Sequence, residues 1–153
     1  MIKRDGKPVV NANPVRRQDT AEQHTRLRIA DLTPLEGAVI APTIAGIKAA
    51  LRQGEDVGLP KAVRIDGEYL VTDGNNRIYA RKDLGETEVD IRIVPSHQLD
   101  YHRRELSRAL KRQRKGFAKF AVCASAEERE ALIAAEQSDD EGDEWLAELE
   151  KQE

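Results

Sequence analysis

Between Tyr69 and Val94 the apolar pattern changes period twice within 26 residues, and this stretch restricts the fold more than any other. Tyr69 to Thr72 reads as a strand, and Asp73-Gly74-Asn75-Asn76-Arg77 interrupts it with a polar turn. Ile78, Tyr79 and Leu84 then recur at helical spacing up to Gly85, and Val89, Ile91 and Ile93 alternate again before Pro95. Alternation marks a half-buried strand and a 3–4 residue recurrence an amphipathic helix. Strands and a helix follow one another closely along one chain, the element mix of an α+β domain. The upstream residues extend the pattern. Val63 and Ile65 alternate into Asp66-Gly67, a two-residue turn, which makes Tyr69 to Thr72 the return strand of a hairpin. Ile44, Ile47 and Leu51 predict a helix from Thr43 to Gln53, with Gly54 at its C-terminal cap. Arg26 to Ala30 alternates as a strand. Thr33-Pro34-Leu35-Glu36 reads as a helix start, with a Thr cap, Pro at the first helical position and Glu reaching back, and Pro42 ends what begins there.

A chain of 153 residues has room for one core, and with 39% apolar against 35% charged residues part of it is expected to stay solvated. The organisation predicted is a polar extension over 1–25, with one short strand near Pro8-Val9-Val10, a folded domain over 26–95, basic and capped helices over 96–137 as a C-terminal helical appendage, and an acidic tail over 138–153. No apolar run reaches the ~18 residues that cross a bilayer, and the polar start lacks the apolar stretch of a signal peptide. One cysteine, Cys123, cannot build a disulfide framework or a Cys-rich zinc site. A cytoplasmic protein without a membrane partner is the expectation. Charge is segregated: residues 127–153 carry 12 acidic and two basic residues, a net −10, against +7 for the rest. The basic share centres on Tyr101 to Gly116, where Arg103, Arg104, Arg108, Lys111, Arg112, Arg114 and Lys115 face a single acid, Glu105. Such a stripe suits a phosphate backbone, so DNA is one candidate partner, and the acidic tail is another for the same surface. Ser125 and Glu128 form a capping box that opens a last helix.

The turn from Asp73 to Arg77 is the candidate site. Gly74 lets backbone approach a ligand, the amides of Asn75, Asn76 and Arg77 lie at a helix N-terminus without intrahelical partners, and Arg77 adds a fork of donors. The same residues also suit a plain turn, with Asp73 as helix cap and the two asparagines as turn formers. Glu36 is read in two ways as well, as part of a capping box or as a carboxylate that with Asp73 acts as a base or holds Mg²⁺. His97 and His102, five apart, lie about 140° apart around a helix and do not face one metal. No HExxH, CxxC, Walker A or nucleophile-elbow pattern occurs, and no metal centre is expected.

The run Tyr69-Leu70-Val71-Thr72-Asp73-Gly74-Asn75-Asn76-Arg77-Ile78-Tyr79-Ala80, the Leu84-Gly85 stop and the strand Val89 to Val94 resemble the ParB/sulfiredoxin superfamily, and the order of elements from Arg26 to Pro95 does so too. The resemblance implies an α+β fold with a small mixed sheet and packed helices, and that Gly74, Asn75, Asn76 and Arg77 lie against the phosphates of a nucleotide, ATP, ADP or CTP, with Mg²⁺. Asn75 stands where sulfiredoxins have their catalytic cysteine, so sulfinic-acid reduction is not expected. Asn75 and Asn76 replace the Glu and Arg of chromosome-partitioning ParB proteins. The Asp-Gly start is closer to the nucleotide-dependent free-serine kinases and the ParB-like nucleases, although those kinases usually carry a His at the position of Asn76. Leu32 to Glu36 resembles the segment that supplies a catalytic glutamate in the kinase-like members. The implied function is therefore a nucleotide-binding, ParB-like protein of plasmid, phage or chromosomal setting, in which Glu36 and Asp73 serve phosphoryl transfer or nucleotide hydrolysis. The alternative keeps the fold without catalysis: an adaptor for nucleic acid through the basic helix, or for a protein through the tail residues Trp145, Leu146 and Leu149.

Overall fold

A computed structural model describes residues 23–138. The strand expected near Pro8 to Val10 and the acidic tail beyond residue 138 lie outside the described residues. The elements run β1 (Gln23–Arg28), β2 (Leu32–Pro34), β3 (Ala38–Ile40), α1 (Ala41–Arg52), β4 (Lys61–Ile65), β5 (Glu68–Asp73), α2 (Asn75–Asp83), β6 (Glu88–Ile93), α3 (Leu99–Lys111) and β7 (Ala121–Cys123). A last helix, α4, occupies 126–138.

Five strands form one mixed sheet in the order β1-β6-β4-β5-β2. The pairs β1/β6 and β4/β5 are antiparallel, while β4/β6 and β2/β5 are parallel. Strand alternation sorts apolar side chains onto two buried faces. Ala62 and Val71 join Ile29, Leu32, Ile78, Val89, Ile91 and Phe117 in one cluster, while Val63, Ile65 and Leu70 meet Leu106 of α3 in another. A third cluster, Val39, Ile44 and Ala80, fixes α1 against α2. The chain beyond Pro95 therefore shares the core of the sheet through Leu106 and Phe117 rather than hanging from it. Together these elements make an α+β fold with a small mixed sheet and packed helices.

The hairpin forms at its predicted turn. Asp66 and Gly67 both take positive φ, 52° and 84°, the combination that matches strand twist in a two-residue loop. The predicted helix start at Thr33 does not form. Leu32, Thr33 and Pro34 instead pair in parallel with Tyr69, Leu70 and Val71, and all three are buried. Burial beside β5 overrides a local capping signal, and Pro34 is tolerated because β2 lies at the sheet edge. Pro42 does not end a helix either; it occupies the first turn of α1, where its missing N–H costs nothing. The helix that carries the basic run, α3, ends at Lys111, so Arg112, Arg114 and Lys115 lie beyond it. Gln113 takes φ 59°, and a short 3-10 turn over Lys115–Phe117 follows. At Ser125 the cap forms: the hydroxyl accepts the Glu128 amide at 3.2 Å, while the Glu128 carboxylate reaches one residue past the cap and accepts the Ala124 amide at 2.6 Å.

Candidate functional site

The end of β5, the turn after it and the start of α2 line an open cleft of about 400 Å³. Thr72, Asp73, Gly74, Asn75, Asn76 and Arg77 form one wall. Glu36, Ile47, Val57 and Arg129 complete it, and so the fold brings Glu36 and the Asp73–Arg77 turn together across the sequence. The volume lies within the range of about 300–1,000 Å³ usual for small-molecule sites.

Gly74 is the N-cap of α2 and takes φ 90°. A Cβ there would stand 2.7 Å from Cβ and 2.8 Å from Cα of Pro60, so a side chain is excluded by packing as well as by conformation. No side chain caps α2. Asp73 thus does not act as the helix cap; it is exposed, and its carboxylate lies 3.4 Å from Nη2 of Arg77, one turn on. The first hydrogen bond of the helix is donated by the Ile78 amide to the Gly74 carbonyl, leaving the amides of Asn75, Asn76 and Arg77 outside the helical ladder. Asn75 donates from Nδ2 to the Val71 carbonyl at 3.2 Å, while its Oδ1 is buried without a hydrogen-bond partner.

Arg77 has a second occupation that the sequence did not reveal. Its Nη1 donates to the carbonyls of Val57 at 3.1 Å and Leu59 at 3.4 Å, and Gly58, at φ 83°, passes so close that a Cβ would meet Nη1 at 2.7 Å. The guanidinium therefore pins the loop that forms the apolar side of the cleft. Glu36 is not part of a capping box, since no helix begins beside it. Its side chain, 39% exposed, pairs with Arg129, which also donates from Nε to the Ala38 carbonyl at 3.1 Å. Arg129 is the site residue that sequence reasoning missed. It sits alone among acids on α4, and nothing local announces that the helix lies across Glu36.

The seven basic residues assigned to nucleic acid do not form one stripe. Arg114 is buried, 7% exposed, and paired with Glu136. Arg108 is half-buried against Glu105, and Arg112 donates to the Glu136 carbonyl. Arg103 pairs with Asp66 and Lys115 with Glu68, both at the surface, and Arg104 and Lys111 are exposed. Among the described residues no group of three or more His, Cys, Asp or Glu side chains gathers around a metal-sized space, and no helix is long and apolar enough to cross a membrane. A second hollow, of about 390 Å³, lies between α1, Tyr79 and Val122, where Lys48 and Asp83 pair with each other.

No protein-family model matches the chain, and no curated protein gives a significant match. Solved structures are similar to it in fold. A protein from Agrobacterium tumefaciens shares 18% identity at TM-score 0.43 over 50% of this chain and 42% of its own. Sulfiredoxin from Arabidopsis thaliana shares 16% at TM-score 0.45, over 52% of this chain and 96% of its own. A Pnob8-like ParB-N domain shares 18% at TM-score 0.44, over 56% of this chain and 34% of its own. The chain thus spans under half of the Agrobacterium protein. The likeness is one of fold across about half of this chain, and it leaves the chemistry of the cleft to the cleft's own residues.

Proposed function

We propose that the cleft binds a nucleoside di- or triphosphate with Mg²⁺, ATP, ADP or CTP, and that Glu36 and Asp73 assist phosphoryl transfer or nucleotide hydrolysis. The observation that carries this reading is the convergence of two carboxylates and a helix N-terminus on one cleft. Three amides at the start of α2 supply donors and the positive end of the helix dipole for phosphate oxygens. Glu36 and Asp73 are oxygen ligands of the type Mg²⁺ takes alongside phosphates. Ile47 and Val57 offer an apolar surface of the kind a base needs.

One substitution separates a phosphate site from a mere helix start. Asn76 lies in the first turn of α2, where an added carboxylate favours the helix but repels phosphate. Asn76→Asp should keep or slightly raise the melting temperature while weakening Mg·ATP or Mg·CTP binding about tenfold or more in calorimetry. Unchanged affinity in Asn76→Asp would remove phosphate from this turn.

The exposed cations Arg103, Arg104, Lys111 and Lys115 favour a second reading, a non-catalytic adaptor that contacts DNA. Its signature is anisotropy of labelled DNA that falls steeply with salt, because neutralised phosphates release counterions.

A further inference from the structure

Arg129 reaches the cleft from an element outside the five-stranded sheet. Helix α4 has no fully buried residue among its described positions; Arg129, Leu132, Ile133 and Glu136 face the body only half-buried. What holds it is largely polar. Arg129 pairs with Glu36 and the Ala38 carbonyl near its start, and Glu136 takes Arg112 and Arg114 near its end. A helix fastened in this way can shift without opening an apolar core.

The charges inside the cleft are balanced in pairs. Asp73 faces Arg77, and Glu36 faces Arg129. The two arginines differ in how firmly they are held. Arg77 is committed to the Val57 and Leu59 carbonyls, so moving it would unpin a loop. Arg129 anchors its Nε on the Ala38 carbonyl and spends its Nη2 on a carboxylate that is itself 39% exposed and lines the same cleft, so its outer fork alone is exchangeable. That partner is replaceable: a phosphate group presents the same oxygen acceptors to an arginine fork and carries more charge.

We infer that Arg129 is a ligand-contacting cation delivered by α4, paired with Glu36 until an anionic group of the ligand takes the carboxylate's place. This rests on the phosphate reading of the cleft. It makes α4 a lid whose closing contact is to the ligand, and it makes Glu36 the resting partner of Arg129 as well as a carboxylate of the site. The α4 helix then belongs to the site and not to a separate appendage.

Two substitutions break the same ion pair, but only one removes a ligand contact. Inorganic tripolyphosphate without metal is the probe, so that Glu36 has no Mg²⁺ to hold. Arg129→Gln should weaken its binding about tenfold, whereas Glu36→Gln should tighten it about threefold by freeing Arg129 and removing a repelling charge. Arg129→Lys keeps the charge and loses the fork, so it should fall between wild type and Arg129→Gln. Circular dichroism reports whether each variant is folded, and the Lys and Glu36→Gln proteins decide the matter if Arg129→Gln is not. A purely structural pair would move Arg129→Gln and Glu36→Gln in the same direction, which overturns the inference. Wild type that binds with Arg129→Gln unchanged also overturns it, leaving the phosphate reading intact; no binding of tripolyphosphate by any protein overturns the inference, and no binding of Mg·ATP or Mg·CTP besides overturns both.

Discussion

Replacing Gly74 by alanine tests whether the turn is built as described, because two separate costs fall on one methyl group. The first is conformational: φ is 90°, and a residue with a Cβ in left-handed backbone costs about 1–2 kcal/mol. The second is packing. The new Cβ would stand 2.7 Å from the side chain and 2.8 Å from the Cα of Pro60, which is fully buried and cannot step aside without moving the end of the loop before β4. Overpacking of this kind costs about 1–3 kcal/mol, so the total should reach about 2–5 kcal/mol. Gly67 provides the internal control. It has nearly the same φ, 84°, but a Cβ added there would meet nothing within 4 Å, so Gly67→Ala should show only the conformational share. Urea unfolding of both variants against wild type, with the slope checked for constancy, gives the two values. Equal losses in Gly74→Ala and Gly67→Ala would refute the contact with Pro60 and with it the packed geometry of the turn.

Arg114→Ala should cost about 2–4 kcal/mol, because Arg114 is buried against Glu136, with the loss moderated by the 26% exposure of Glu136. Arg103→Ala, which breaks an exposed pair with Asp66, should cost under about 1 kcal/mol in the same denaturation assay. Burial holds the His102 imidazole below its ordinary 6.5, against the opposing pull of Glu105. The unfolded chain therefore binds the proton first as pH falls, so this contribution to stability is complete above about pH 6.5 and is lost below it, toward the folded value. Melting temperatures from pH 8 to 5 should fall less steeply in His102→Gln than in wild type, and identical slopes would exclude His102 as a source.

The hairpin, α1, α2 and β6 are legible because each rests on a signal a few residues long: Asp66-Gly67 for the turn, Ile44, Ile47 and Leu51 for the helix face, Leu84-Gly85 for the stop. Thr33 to Glu36 mislead because a capping box and a buried edge strand use the same residues there, and only β5 decides between them. The parallel pairing of Ala38–Ile40 with Ala121–Cys123 joins segments far apart in sequence and three residues long, too short to show a period. The basic run misleads for a related reason. Composition does not reveal that Arg114 turns inward or that Arg103 and Lys115 reach acids on the hairpin. At the site, Glu36 and the Asp73–Arg77 turn stand out in the sequence, but the capping roles open to Glu36 and Asp73 do not occur. Arg129 and the grip of Arg77 on Val57 and Leu59 depend on tertiary approach and leave no local trace.

The central claim, that a phosphate-bearing nucleotide binds where Glu36 meets the start of α2, is tested most directly by amide chemical shifts. Isotope-labelled protein titrated with Mg·ATP and Mg·CTP should show saturable shifts concentrated at Gly74, Asn75, Asn76 and Arg77, with smaller ones at Glu36, Ile47 and Val57, where the cleft is lined. Shifts confined to α3, or none at all at millimolar nucleotide, would contradict it.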